Sequence, residues 1–98
     1  MGLENFKHDL RLAGKRTPQL LMQKFEAIGL SGLELDIMKF RYCDGLLIKQ
    51  IPNLVSVSER WVKKVHLKAT IKALDAFSAA DLVELGIPIK ITPKTLYS

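Results

Sequence analysis

Apolar residues recur along most of this chain at spacings of three and four, the period of helices that each bury one face. Leu3, Phe6, Leu10 and Ala13 make the first such face, which Gly14 is placed to end before a basic Lys15-Arg16 turn. Thr17-Pro18 opens a second helix, threonine as N-cap and proline at the first helical position, running to Ile28 and stopped by Gly29. Leu30-Ser31-Gly32-Leu33-Glu34 reads as a third entry, with Ser31 as N-cap and Glu34 closing a capping box. Leu33, Ile37, Met38 and Phe40 to Tyr42 give that helix a broad apolar face. Gly45 ends it, because glycine takes the left-handed conformation without a steric penalty.

A short apolar segment follows from Leu46 to Leu54, through Ile48 and Ile51. Ile51 and Val55 share one buried face only if a helix continues through Pro52, so a short or kinked helix spanning that proline is expected. Val55-Ser56-Val57 turns the chain into Ser58, a further N-cap, and Val62, Val65, Ala69 and Ala73 give the helix over 58-74 one buried stripe. Ser78-Ala79-Ala80-Asp81 caps a short helix through Leu85, closed by Gly86. From Ile87 to Pro93 isoleucines alternate with other residues, an extended segment whose prolines at 88 and 93 bar it from the interior of a sheet. It lies across its own core or pairs with another chain, and the residues leave both open. The expected fold is all-α: an orthogonal helical bundle with a helix-turn-helix and a short extended C-terminal segment. Residues 1-29 pack on a helix-turn-helix region at 30-75, and 76-98 form the short helix and tail.

Charge sharpens this picture. The chain carries a net +5, and the helix at 58-74 concentrates Arg60, Lys63, Lys64, Lys68 and Lys72 against the single anion Glu59. Cations on the exposed side of a helix whose other side is apolar form a footprint for phosphate, because each neutralised phosphate releases condensed counterions. A solvated lysine-rich face is the plainer alternative. Nearer the N-terminus Lys7, Arg11, Lys15, Arg16 and Lys24 outnumber Glu4, Asp9 and Glu26; this region adds nonspecific phosphate contacts or is a solvated face, and the solvated face is the preferred reading.

Leu30-Ser31, Glu34, Ile37-Met38, Phe40-Arg41-Tyr42, Gly45, Ile51, Val57-Ser58, Val62-Lys63 and Ala69 resemble the region 4 pattern of bacterial sigma factors and of small phage and mobile-element regulators related to them. The resemblance covers under half of the chain. It implies sequence-specific binding of duplex DNA in transcription regulation, with the last helix reading the major groove and the serine at its start holding the backbone. Those roles fall on Ser58, Glu59, Arg60, Trp61, Lys63 and Lys64, with Lys68 and Lys72 further along meeting phosphates. RNA polymerase and a second copy of the chain are the further partners implied. Three positions depart from the family: Pro52 replaces a small alanine, Gln50 a glutamate, and Trp61 a small hydroxyl residue. The Trp61 indole lies against sugar and phosphate or caps the core, and the core placement is preferred. A polymerase-binding or other protein-binding adaptor, and a packaging or replication protein that marks a site on phage DNA, are the rival readings.

Other classes of function have little to rest on. No apolar run approaches the ~20 residues of a membrane span. The first nine residues, with Glu4 and Asp9, do not read as a signal peptide. Cys43 is the single cysteine, which excludes an internal disulfide and fits a cytoplasmic protein; it reads as a small core residue rather than a nucleophile. His8 and His66 lie far apart, no Cys, His, Asp and Glu cluster has metal-ligand spacing, and Gly29 and Gly32 bracket a capping turn rather than a phosphate loop. Neither an enzyme nor a cofactor is expected. His66, among the lysines of the last long helix, contacts a phosphate or lies on the surface.

Overall fold

The computed structural model describes residues 2–88, and these are all-helical, with no strand among them. The extended segment expected over Ile87 to Pro93 lies, from Ile89 onward, outside the described residues. Six α-helices follow one another: α1 Leu3–Arg16, α2 Pro18–Ala27, α3 Gly32–Met38, α4 Pro52–Val55, α5 Glu59–Ala76 and α6 Ala79–Glu84. A π turn, Lys39–Cys43, extends α3, and a 3₁₀ turn, Ile48–Gln50, precedes α4.

Phe6, Leu10 and Ala13 of α1 are fully buried as the spacing predicts, but the helix does not end at Gly14. It runs on to Arg16, and Gly14 is one of its buried residues. A methyl group on Gly14 would overlap the backbone carbonyl of Tyr42, so this glycine answers to a close approach between α1 and the π turn rather than to helix termination. Thr17 precedes α2 and Pro18 occupies its start, as expected, yet Thr17 caps nothing: its hydroxyl turns back and donates to the Ala13 carbonyl at 3.2 Å. At the other end Gly29, at φ 95°, closes α2 as expected. Its N–H donates to the Glu26 carbonyl and that of Leu30 to the Phe25 carbonyl, the paired bonds of a Schellman motif.

Ser31 stands before α3 but makes no side-chain cap bond, so the expected capping box with Glu34 does not form. Gly32, the first residue of the helix, sits at φ 56°, a left-handed step that glycine takes without strain. Gly45, at φ 71°, does end the element, one residue beyond Asp44.

The second apolar segment departs from expectation at Pro52. No helix spans it; the 3₁₀ turn ends before it, and α4 begins on it. Proline's missing N–H is one that the first turn of a helix leaves unbonded anyway, which is why the chain restarts its helix there. Ile51, with αR backbone dihedrals, accepts hydrogen bonds from Leu54 and Val55, so Ile51 and Val55 still share one buried face. Ser56 adopts the left-handed conformation (φ 58°), and residues 56-58 turn the chain into α5.

Two apolar clusters result. The larger gathers α1, α2, the end of the π turn, α5 and the α6 end around Phe6, Phe25, Tyr42 and Phe77, with Phe25 and Phe77 stacked at 5.9 Å. The smaller lies under the start of α5, where Ile37, Ile51 and Val62 are fully buried. α6 is joined to the rest by charge as well as packing. Lys24 pairs with both Asp81 and Glu84, and the Arg16 guanidinium donates to the Leu85 and Gly86 carbonyls. These two cations are therefore engaged inside the protein. Ser78 and Asp81 form the expected capping box, at 3.1 Å and 2.9 Å, and Gly86 closes the helix in a second Schellman motif.

Candidate nucleic-acid interface

The long helix α5 starts at a well-formed cap. The Ser58 hydroxyl accepts from the Trp61 amide at 3.1 Å, and Glu59 places an anion in the first turn, where the helix dipole favours it. The helix extends past the expected 74 to Ala76, which brings Asp75 onto it. Val62, Ala69 and Ala73 are buried in line with the predicted stripe, and Val65 is half-buried.

The stripe is wider than its aliphatic residues suggested, because His66 and Thr70 are buried with them. His66 is thus neither a surface residue nor a phosphate contact in waiting on the lysine face. Four residues after Val62, it falls on the same side of the helix, and Tyr42 gives its ring a partner there. The Tyr42 hydroxyl lies 2.8 Å from His66 Nε2 and 3.0 Å from the Thr70 hydroxyl, which donates onward to the Met38 sulfur. Burial, and then the neighbouring charges of Lys7, Arg41 and Arg11, lower the His66 pKa to about 4, so the imidazole is neutral at pH 7. Burial pushes the Tyr42 hydroxyl up to about 12.

Trp61 is the clearest reversal. Rather than capping the core, its indole is 46% exposed, because the positions facing inward are taken by Val62, His66, Ala69, Thr70 and Ala73. The Lys64 ammonium lies 5.4 Å from the ring centroid, a cation–π arrangement. Trp61, Lys64 and Lys68 line a cleft with Glu34 and Val65. Arg60, Lys64 and Lys68 succeed one another at intervals of four on the outer side of α5, and all are exposed. Leu67 and Ile71, 43% and 41% exposed, share that outer side.

The structure therefore divides the residues expected to form one DNA-reading set. Ser58 caps the helix from within. Arg60, Trp61, Lys64 and Lys68 stand together on the outer side. Lys63 turns to the other flank, 3.6 Å from Glu59, and joins Lys7, Arg11 and Arg41 around a second cleft. Lys72 lies over Gly29, at the C-terminus of α2, where a Cβ on that glycine would come within 3.3 Å of its ammonium.

Sequence reasoning missed Arg41 as a neighbour of Lys7 and Arg11, whose charge it read as a solvated face in preference to phosphate contacts. One signal was present: Lys7, Arg11 and Lys15 recur every four residues and so stack on one side of α1, an arrangement of like charges that costs a helix stability. That they face Arg41 on the π turn is a tertiary fact. Cys43 is half-buried, and burial raises its thiol pKa, which keeps it in the unreactive form. Among the described residues no group of three or more His, Cys, Asp or Glu is arranged to hold a metal, and no helix is long and apolar enough to cross a membrane. Comparison of the chain with known protein families, with curated proteins and with solved structures finds no match.

Proposed function

We propose that this chain binds duplex DNA through the outer side of α5 and acts in transcription regulation, as the resemblance of residues 30-69 to sigma region 4 implies. One observation carries the reading. A capped helix of 18 residues follows a short helix across a three-residue turn, and presents Arg60, Lys64 and Lys68 one turn apart on its exposed side. The Ile37, Ile51 and Val62 cluster beneath holds the first turns of that helix on α3 and α4, so the cations are carried on a fixed element. An arginine near the start of such a helix is suited to take guanine bidentately in the major groove, with lysines one and two turns on reaching acceptors or phosphates.

A selection of bound sequences from random duplex DNA, followed by titration of the selected site at several salt concentrations, tests this. Binding is expected to favour particular sequences and to weaken steeply with salt. Arg60→Ala is expected to cost roughly 1–3 kcal/mol on the selected site and to flatten its base preference. Unchanged affinity and preference would remove α5 from the role.

The exposed Leu67 and Ile71 favour a second reading, in which the same side of α5 meets a partner protein such as RNA polymerase through an apolar contact ringed by cations. Binding to DNA without sequence preference, together with loss of polymerase binding in Leu67→Ser, would select it.

A further inference from the structure

On the flank of α5 away from Trp61, four cations converge on one cleft of about 350 Å3: Lys7 and Arg11 from α1, Arg41 from the π turn and Lys63 from α5, with His66 also lining it. The one carboxylate in its lining is Glu4, 3.3 Å from the Lys7 ammonium. Lys63 has Glu59 at 3.6 Å. Among the described residues no carboxylate pairs with Arg11 or Arg41. Each guanidinium is half-buried and spends one donor on a backbone carbonyl, Arg11 on Lys7 and Arg41 on Leu46. The remaining donors of both are left to the cleft and to a neighbouring one of about 340 Å3, also lined by Lys15 and His8, in which Arg11 and Arg41 again take part.

Arg11 and Arg41, like charges held together and partly removed from water with no carboxylate on either, oppose folding, so they stand out against the Lys24 cluster, where each charge has its partner. Local conflicts of that kind concentrate where a protein holds a ligand. The π turn contributes to it directly, since Arg41 lies within the turn and Gly14 of α1 seats the turn's backbone beside Arg11's helix.

We propose that the cleft between α1, the π turn and α5 is a phosphate-binding site, in which the guanidiniums of Arg11 and Arg41 take the phosphate oxygens and Lys7 and Lys63 complete its neutralisation. Two arginines presenting forked donors suit the geometry of a phosphate group better than lysines alone would. Burial is the larger cause of the lowered His66 pKa, and the charges of Lys7, Arg41 and Arg11 lower it further against the opposing Glu4, in keeping with cations gathered beside the ring. The phosphate is supplied either by a DNA backbone or by a free phosphorylated small molecule. The site does not rest on α5 reading DNA, since no residue of the Arg60, Lys64 and Lys68 series lines the cleft.

Titrating the isotope-labelled chain with inorganic phosphate and inorganic pyrophosphate, against sodium chloride at matched ionic strength, tests the site by NMR. The Nε–H signals of Arg11 and Arg41 are expected to shift saturably with the phosphates, the Arg60 signal to stay, and the His66 pKa to rise because an anion alongside favours the imidazolium. Arg11→Gln should abolish the Arg41 response. Arg41 holds the Leu46 carbonyl beyond its own turn at 3.1 Å, whereas Arg11 bonds only the Lys7 carbonyl of its own helix at 3.5 Å, so Arg11→Gln is the variant of choice, and the titration of the unaltered chain depends on no variant. A duplex DNA titration separates the sources. If the backbone is the ligand, Arg11→Gln weakens DNA binding roughly tenfold, lowers the salt slope by about one, and pyrophosphate competes with DNA. If a free phosphorylated molecule is the ligand, Arg11→Gln leaves DNA binding unchanged while the phosphate response of the unaltered chain persists. Signals of Arg11 and Arg41 that move no more with phosphate, pyrophosphate or DNA than with chloride, or no more than that of Arg60, would overturn the proposal.

Discussion

The larger apolar cluster draws on residues from α1, α2, α5 and the α6 end and includes the rings of Phe6, Phe25, Tyr42 and Phe77, whereas the smaller has three fully buried members, Ile37, Ile51 and Val62, none aromatic. The helices around the first are locked at their ends by two Schellman motifs, a capping box and the Lys24 and Arg16 contacts to α6. Around the second, α4 has four residues and begins on a proline, and the turn after it holds a serine in the left-handed conformation. Aromatic area and closed helix ends belong to the larger cluster; short elements and few aliphatics support the start of α5. Local opening follows the density of buried contacts, so α4 is expected to exchange its amide hydrogens well before α1.

Removing a ring from the larger cluster tests that division most severely. Phe25→Ala should cost about 3–5 kcal/mol, because Phe25 touches both Tyr42 and Phe77, and denaturant melts should show the whole chain giving way. Loss confined to amides of α4 would reverse the ranking of the two clusters.

Next in size is acid. His66 of α5 leans on Tyr42 of the larger cluster, with a folded pKa of about 4 against an ordinary 6.5. Between those values the unfolded chain binds a proton that the folded one refuses. The contribution is therefore fully present above pH 6.5 and is lost as pH falls toward 4, by about 3 kcal/mol in all. Unfolding measured across this window should be visibly flatter in His66→Gln, and identical slopes would show that the imidazole is not held neutral.

Gly14→Ala sharpens the comparison in the opposite direction from helix propensity. An alanine inside a helix ordinarily gains about 0.5–1 kcal/mol over glycine. Here the added methyl overlaps the Tyr42 carbonyl, so a net loss of about 1–3 kcal/mol is expected in thermal melts, together with shifts in the amides of the π turn. A stabilised variant would mean that the close approach is not kept.

Caps divide the same way. Ser78→Ala breaks one bond of a closed box and should cost about 1 kcal/mol, whereas Ser31→Ala, which removes no cap bond, should stay within about 0.5 kcal/mol. Equal losses at the two serines would contradict the difference in their geometry. Smallest of all is Pro52→Ala. With proline at the first position of α4 no backbone hydrogen bond is restored, and the freer unfolded chain should make the variant less stable by about 0.4–1 kcal/mol. A gain in melting temperature would instead favour a helix that runs through this position.

What the sequence determined by itself was the order of helices and most of their ends. Proline at a helix start, glycines 29, 45 and 86 in the left-handed conformation, and the Ser58 and Ser78 caps act within a few residues of one another, and the period of three and four marks which side is buried. The exposed Arg60, Lys64 and Lys68 were legible for the same reason, since a buried stripe on one side of a helix fixes what lies on the other. Features that depend on a neighbour distant in sequence were not. Gly14 reads as a stop until Tyr42 is laid against it; His66 reads as a surface residue until the Tyr42 hydroxyl meets it; Trp61 reads as core until the inward positions are filled. The π turn and the cleft it builds with Lys7, Arg11, Arg41 and Lys63 belong to the same class. Side chains from α1, the π turn and α5 come together there only when the apolar faces beneath them have packed, and it is that packing, acting over tens of residues, that no local pattern encodes.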